Sequence, residues 1–183
     1  MTPERLDSLA AIERACWDEL ARAMREQGHA WRVMTLATAD AGRADARAVV
    51  VREVDPAARA LRFYTDARSP KVQQLRVSPD GVLLAWSPAL GWQLRMPVRL
   101  ALETDAAVLA SHWAGVESAG ATSDYRAAQP PGTPVAHHSP ERGEQAHFAL
   151  VRAEVLALDW LELHRQGHRR ARFEGGSSSW LTP

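Results

Sequence analysis

The stretch Phe63-Tyr64-Thr65-Asp66-Ala67-Arg68-Ser69-Pro70-Lys71 puts a strand end, a tight turn and a helix start into nine residues. Leu61 to Thr65 has the aromatic and β-branched content of a strand. Ser69 suits a helix N-cap and Pro70 the first helical position, so a short helix is expected through Val77. Backbone N–H groups at a helix start lack internal partners and attract an anion, with the helix dipole adding a modest contribution. Arg68, Ser69 and Lys71 lie in or just before that first turn, and three such donors can wrap a phosphate. Locally, an ordinary capped surface helix with basic neighbours is the simpler reading. Lys71 argues against it. It is the only lysine among 22 basic residues. Genomic base composition explains an arginine excess, but lysine offers a compact point charge where arginine offers a planar fork.

Outward from this stretch the chain reads as short strands. Trp31 to Ala39 and Ala46 to Val54 are expected strands around an Asp40-to-Arg43 turn, and Asp55-Pro56 marks the next turn. Val82 to Trp86 and Trp92 to Glu103 follow the helix, separated by a Ser87-to-Gly91 turn. Phe148 to Leu158, Arg169 to Glu174 and Ser179 to Leu181 complete the set. Such a meander indicates an antiparallel sheet or barrel. Residues 4 to 27 have apolar positions at three- and four-residue spacing, which predicts an amphipathic helix with Thr2 as cap and Pro3 at its first position. Asp105 to Trp113 reads as helical. Residues 114–145, rich in Gly, Pro, Ser and Ala, read as a long loop with one helical turn near Tyr125. The expectation is one domain over 1–183, mainly β with flanking helices.

The formal net charge of zero gives no global argument for nucleic acid or an anionic membrane as partner. The single cysteine, Cys16, excludes an intrachain disulfide and a cysteine-based zinc site. With no apolar signal-peptide core and no run long enough to cross a bilayer, a cytoplasmic protein is expected.

Arg47 and Arg52 flank the run Val49-Val50-Val51. They are five residues apart and fall on opposite faces of a regular strand. Either a bulge brings them together or they do different jobs. Trp86, Trp92 and Gln93 surround a turn, where tryptophan can stack on a flat ring and Gln can donate and accept hydrogen bonds. His164 and His168 share a helical spacing, but Gly167 weakens that helix and no third ligand is evident, so no metal is expected. His137-His138 reads as solvated. Gly-x-Ser-x-Gly and Gly-x-Gly-x-x-Gly are both absent, which argues against an α/β-hydrolase and a Rossmann dinucleotide site.

Taken in order, these pieces resemble the pyridoxamine 5′-phosphate oxidase-like flavoproteins. The resemblance rests on Arg47-Ala48-Val49-Val50-Val51-Arg52, then Phe63 to Lys71, then Trp92-Gln93-Leu94-Arg95. It covers roughly residues 30–104 well and the part from Phe148 onward loosely. It implies a split β-barrel and a homodimer with FMN at the subunit interface. Arg47 and Lys71 would meet the phosphate, with Tyr64, Thr65, Ser69 and Pro70 around it. Val49, Val50, Val51 and Arg52 would run beneath the isoalloxazine, Gln93 would hydrogen-bond the ring system, and Arg172 would match a flavin-side arginine. The departures point to an oxidase-related branch. Pro70 replaces an arginine of the oxidase motif, and the stretch His168-Arg169-Arg170-Ala171-Arg172-Phe173 lacks the oxidase's substrate histidine. His112-Trp113 stands where the oxidase has a tyrosine, with no arginine to follow.

The resemblance therefore implies an FMN-binding oxidoreductase acting on a small molecule, with no catalytic acid or base named. By their position in the long loop, Tyr125 and Arg126 are expected as pocket walls. The alternatives are a genuine pyridoxamine or pyridoxine 5′-phosphate oxidase, a non-catalytic carrier or sensor of flavin, haem or deazaflavin, and a barrel serving only as an interaction module.

Overall fold

In the computed structural model, which describes residues 5–137 and 141–183, the chain forms three α-helices and nine strands. The strands are β1 (Val33–Asp40), β2 (Arg43–Asp55), β3 (Ala60–Asp66), β4 (Asp80–Ser87), β5 (Trp92–Leu102), β6 (Phe148–Val155), β7 (Ala157–Glu162), β8 (Arg169–Glu174) and β9 (Ser177–Leu181). The helices are α1 (Leu9–Arg25), α2 (Pro70–Val77) and α3 (Ala106–Ser118). Every described strand pairing is antiparallel. The order β4-β1-β2-β3-β6-β5 closes through β4–β5 into a six-stranded barrel, and β7-β8-β9 extend from β5. This is the expected split β-barrel.

The split has a local cause. The sequence suggests one strand from Phe148 to Leu158, but that run is two strands. β6 and β7 both follow β5, with Val155 opposite Val98 and Asp159 opposite Arg95. Between them Leu156 is exposed, and the second partner changes from β3 to β8. One long β5 thus serves the barrel with one half and the extension with the other.

Alternation sets the core. On β1, Met34, Leu36 and Thr38 are buried, and on β3 so are Leu61, Phe63 and Thr65. In both strands the inward row ends in a threonine, so the apolar interior gives way to hydroxyls at one rim. The helix α2 lies against β1 and β5 and buries Val72, Gln74 and Leu75. The β1–β2 hairpin closes on Ala41-Gly42, both at positive φ (48° and 82°), the backbone of a two-residue primed turn.

Three expectations are corrected. Helix α1 begins at Leu9 under a Ser8 cap, whose Oγ accepts from Ala11 N at 3.2 Å; Thr2 and Pro3 lie outside the described residues. Long-range bonds hold the preceding segment instead, because Arg5 reaches Glu162 at 2.6 Å and the Leu6 carbonyl accepts from Arg169 at 2.7 Å. The first strand begins at Val33, since Ala30–Arg32 form a 3₁₀ turn that buries Trp31. Helix α3 runs on to Ser118, stabilised by burial of Val116 and by a bond from Trp113 Nε1 to Glu117 at 2.9 Å, so the long loop starts later than residue 114. The helical turn expected near Tyr125 is present as Thr122–Tyr125. Among the described residues no helix is long and apolar enough to cross a membrane.

Candidate functional site: a polar cradle at the barrel rim

β2 and β3 pair only between Val51–Asp55 and Ala60–Phe63. Beyond Val51 and Phe63 they part. From Val50 back to Arg43, β2 pairs with β1, while Tyr64 to Asp66 pair with β6. The start of α2 stands at this opening. Arg47 comes from β2, Thr65 from β3, and Ser69 and Lys71 from the turn and the first helical residues.

Their side chains form two hydrogen-bonded clusters, one around Lys71 and one around Arg47. Lys71 Nζ donates to Thr65 Oγ1 at 2.9 Å, and Thr65 Oγ1 lies 3.1 Å from Ser69 Oγ. Arg47 donates to Thr38 Oγ1 at 2.5 Å, to Gln74 Oε1 at 2.9 Å and to Asp45. Gln74 also accepts from Thr38 at 2.6 Å and donates to Asp45 at 2.8 Å. Thr65 and Ser69 are buried and Lys71 is half-buried. Burial, and then the charge of Arg47, hold the Lys71 ammonium below the usual lysine range. Two cations whose charges act on each other are disfavoured unless an anion joins them. The hydrogen bond from Gln74, and then Arg47, hold the Asp45 carboxyl below its ordinary value. The Ser69 side chain makes no capping bond to its own helix, so its hydroxyl stays with Thr65.

Arg68, a third expected donor, is used elsewhere. It pairs with Asp66 at 2.7 Å and donates to the Ala127 carbonyl at 2.8 Å, tying the long loop to the turn. Burial draws the Asp66 pKa upward, but the bonds from Arg68 outweigh it and hold the carboxyl below its usual value. Pro70 occupies the first helical position, exposed.

Tyr64 and Arg52 are on the other face of the sheet. From Val51/Phe63 to Glu53/Arg62 the register advances two residues on β2 and one on β3, which makes Arg52 the extra residue of a β-bulge. Without the bulge Arg52 would stand opposite Arg62, a like-charge pair. With it Glu53 stands there and bonds Arg62 at 2.5 Å. Arg52 instead lies over the Tyr64 ring, 5.2 Å from its centroid. The Tyr64 hydroxyl is 3.0 Å from His112 Nδ1 on α3, and His112 Nε2 is 3.2 Å from Glu53. Phe148 and Tyr125 pack edge-on against Tyr64. Arg47 and Arg52 therefore do different jobs; the bulge does not bring them together.

The remaining expected residues are dispersed. Val49 and Val51 point into the core, and Val50 is half-buried on the outer face. Gln93, on β5, pairs with Trp86 and Leu161, and Arg172, on β8, bonds Glu174 at 2.9 Å. Among the described residues neither bonds a cradle residue. Trp92 packs edge-on to the buried Trp160, so it belongs to the core. His164 and His168 each accept a backbone N–H through Nδ1, and His138 lies outside the described residues. Arg126 ends the 3₁₀ turn beside Tyr125. Sequence reasoning missed Thr38, Asp45 and Gln74. One signal was available: Thr38 is the polar residue in the otherwise apolar inward row of its strand.

A closed six-stranded antiparallel barrel extended by β7–β9 is the fold of the FMN-binding split-barrel proteins. Residues 14–102 match the family model described as "Pyridoxamine 5′-phosphate oxidase, FMN-binding domain", and this part of the chain belongs to that oxidase-like family. A pyridoxamine 5′-phosphate oxidase-related, FMN-binding protein from Nostoc punctiforme is 25% identical, with a TM-score of 0.77 over 96% of this chain and 99% of that one. PhzG from Burkholderia lata, solved with tetrahydrophenazine-1-carboxylic acid, is 19% identical with a TM-score of 0.75 over 100% and 98% of the two chains. ChuZ from Campylobacter jejuni shares the fold at 14% identity and a TM-score of 0.59, over 96% of this chain and 64% of ChuZ. No curated protein matches the chain.

Proposed function

We propose that the chain binds FMN with its phosphate in the rim cradle and acts as an oxidoreductase on a small organic molecule. One observation carries this reading: Lys71 joins the hydroxyls of Thr65 and Ser69 where β2 and β3 part, with Arg47 near enough for its charge to act on Lys71. The donor set fits a phosphate monoester. It contains two cations, two hydroxyls and the N-terminus of α2, and the two carboxylates near Lys71 are engaged, Asp45 by Arg47 and Gln74 and Asp66 by Arg68. Bound FMN would supply two-electron redox chemistry, and the protein binding, orientation and electrostatics.

On this reading Arg47 and Lys71 neutralise the phosphate, Thr65 and Ser69 fix its orientation, and Gln74 braces Arg47. The outer face of β2 offers Ala48 and Val50 to the flat ring. Gln93 and Arg172, remote from the cradle within one chain, would reach the flavin from a second copy, which makes the working unit a homodimer. The exposed Val33 and Trp86 are consistent with a covered surface.

The test is the purified protein's absorbance spectrum, with FMN titration and anaerobic reduction. Flavin absorbance at one FMN per chain, bleached by a reduced nicotinamide, is expected. Colourless protein that takes up no FMN would overturn the reading, a haem spectrum would replace the cofactor, and flavin that no reductant bleaches would leave a carrier.

A further inference from the structure

The bulge at Arg52 builds a second pocket on the outer face of β2. Arg52, Tyr64, Gly115, Val116, Ala119, Ala121 and Tyr125 line a cavity of about 180 Å³. Among the described residues Arg52 has no carboxylate partner. The nearest in sequence, Glu53, is engaged by Arg62 and faces His112. Arg52 is exposed and lies over the Tyr64 ring, and a guanidinium so placed with no carboxylate partner is an anchor for an anion.

We propose that this pocket binds a single-ring aromatic carboxylate, with Arg52 on the carboxylate and Tyr64 and Tyr125 against the ring. The assignment deepens the oxidoreductase reading by naming its substrate class. Size supports one ring, since a cavity of roughly 150 Å³ is known to hold benzene. The walls supply the shape. Tyr64 and Tyr125 stand 75° apart with centroids 6.5 Å from each other, so a ring that lies flat on one meets the edge of the other. Across from them are Gly115, Ala119 and Ala121, and a Cβ added to Gly115 would meet nothing within 4 Å. Tyr64 is held in place, because Glu53 accepts from His112 Nε2–H and leaves Nδ1 to accept the Tyr64 hydroxyl proton.

Charge supports a monoanion. The rim cradle meets a dianion with two cations, whereas this pocket holds one. A phosphate monoester here would carry about one further negative charge beside Glu53 with no second cation to meet it.

The probes are benzoate, benzyl alcohol and phenyl phosphate, titrated into the FMN-loaded protein and read by perturbation of the flavin spectrum and by calorimetry. Benzoate is expected to saturate, to bind roughly tenfold or more tightly than benzyl alcohol, and to bind at least as well as phenyl phosphate, in line with the loss of one charge-assisted hydrogen bond. Arg52→Met should weaken benzoate by a similar factor, and Arg52→Lys should restore part of it. Gly115→Leu should fill the cavity and abolish benzoate binding in protein that still folds and carries FMN. No saturable benzoate binding, benzoate affinity unchanged in both Arg52→Met and Gly115→Leu, or tighter binding of phenyl phosphate would each overturn the proposal. FMN content is assayed separately. Protein that takes up no FMN refutes the cofactor reading, and calorimetry on that same protein still decides the pocket.

Discussion

Arg47 and Arg52 are on one strand, one at the barrel rim and one at a bulge, and the contrast between them organises the molecule. Arg47 shares the inward row of Val49 and Val51 and meets Thr38, Gln74 and Asp45 where the core turns polar. Arg52 is outside, over Tyr64, with aromatic rings and small side chains around it. The rim has two cations, hydroxyls and a helix start, suited to a compact dianion. The outer pocket has one cation and apolar walls, suited to a flat monoanion. Strand alternation alone separates the two arginines, and the bulge then decides what the second one touches.

The largest effect expected is at the rim. Lys71→Ala should weaken FMN by about 1.5–3 kcal/mol, roughly 10- to 150-fold, in a fluorescence titration. Wild-type affinity in that variant would move the phosphate elsewhere and dissolve the contrast.

A pH series sharpens it. The folded, ligand-free protein holds Lys71 below its ordinary pKa of 10.5, and a phosphate beside it would draw the value back up. Between those two values binding takes up a proton. Affinity is therefore full below the depressed value and falls as pH rises through it. Lys71→Arg should flatten that alkaline fall, because arginine stays charged. The same fall in the arginine variant would assign it to another group.

Neighbouring residues on opposite faces provide the next comparison. Thr65→Val should cost FMN affinity severalfold, whereas Tyr64→Phe should cost less affinity and lower stability by about 1 kcal/mol through its lost bond to His112. Equal effects on FMN would place both side chains at the phosphate. The smallest effect is expected at Gly115, whose added Cβ has open space within a helix. Gly115→Ala should stabilise the protein by about 0.5–1 kcal/mol in a denaturant melt, and destabilisation would show that the helix approaches its neighbours more closely.

Much of this was legible along the chain. The strands around Asp40-to-Arg43 and Asp55-Pro56, the Ser69 start of α2 and the Thr122–Tyr125 turn follow from local composition and period. The cradle was legible in Lys71, Ser69, Thr65 and Arg47. Tyr64 adjoins Thr65 in sequence but lies on the opposite face, because one residue along a strand reverses the face. Arg68 was misassigned because its partners are Asp66 and a loop carbonyl about sixty residues away, at Ala127. The break at Leu156 has no breaker residue to announce it. It exists because β6 and β7 need different second partners.

By itself the sequence determined the kinds of element, the capped helix start and the chemistry of the rim donors, since each depends on residues within a few positions of one another. Only the tertiary structure decided where β2 and β3 part, that Arg52 is the extra residue, and which aromatic groups enclose it. Those outcomes depend on register between strands and on α3 packing over β6. Register is a property of paired segments, settled by the joint burial of inward rows and the avoidance of Arg52 opposite Arg62, and neither can be read from one strand alone.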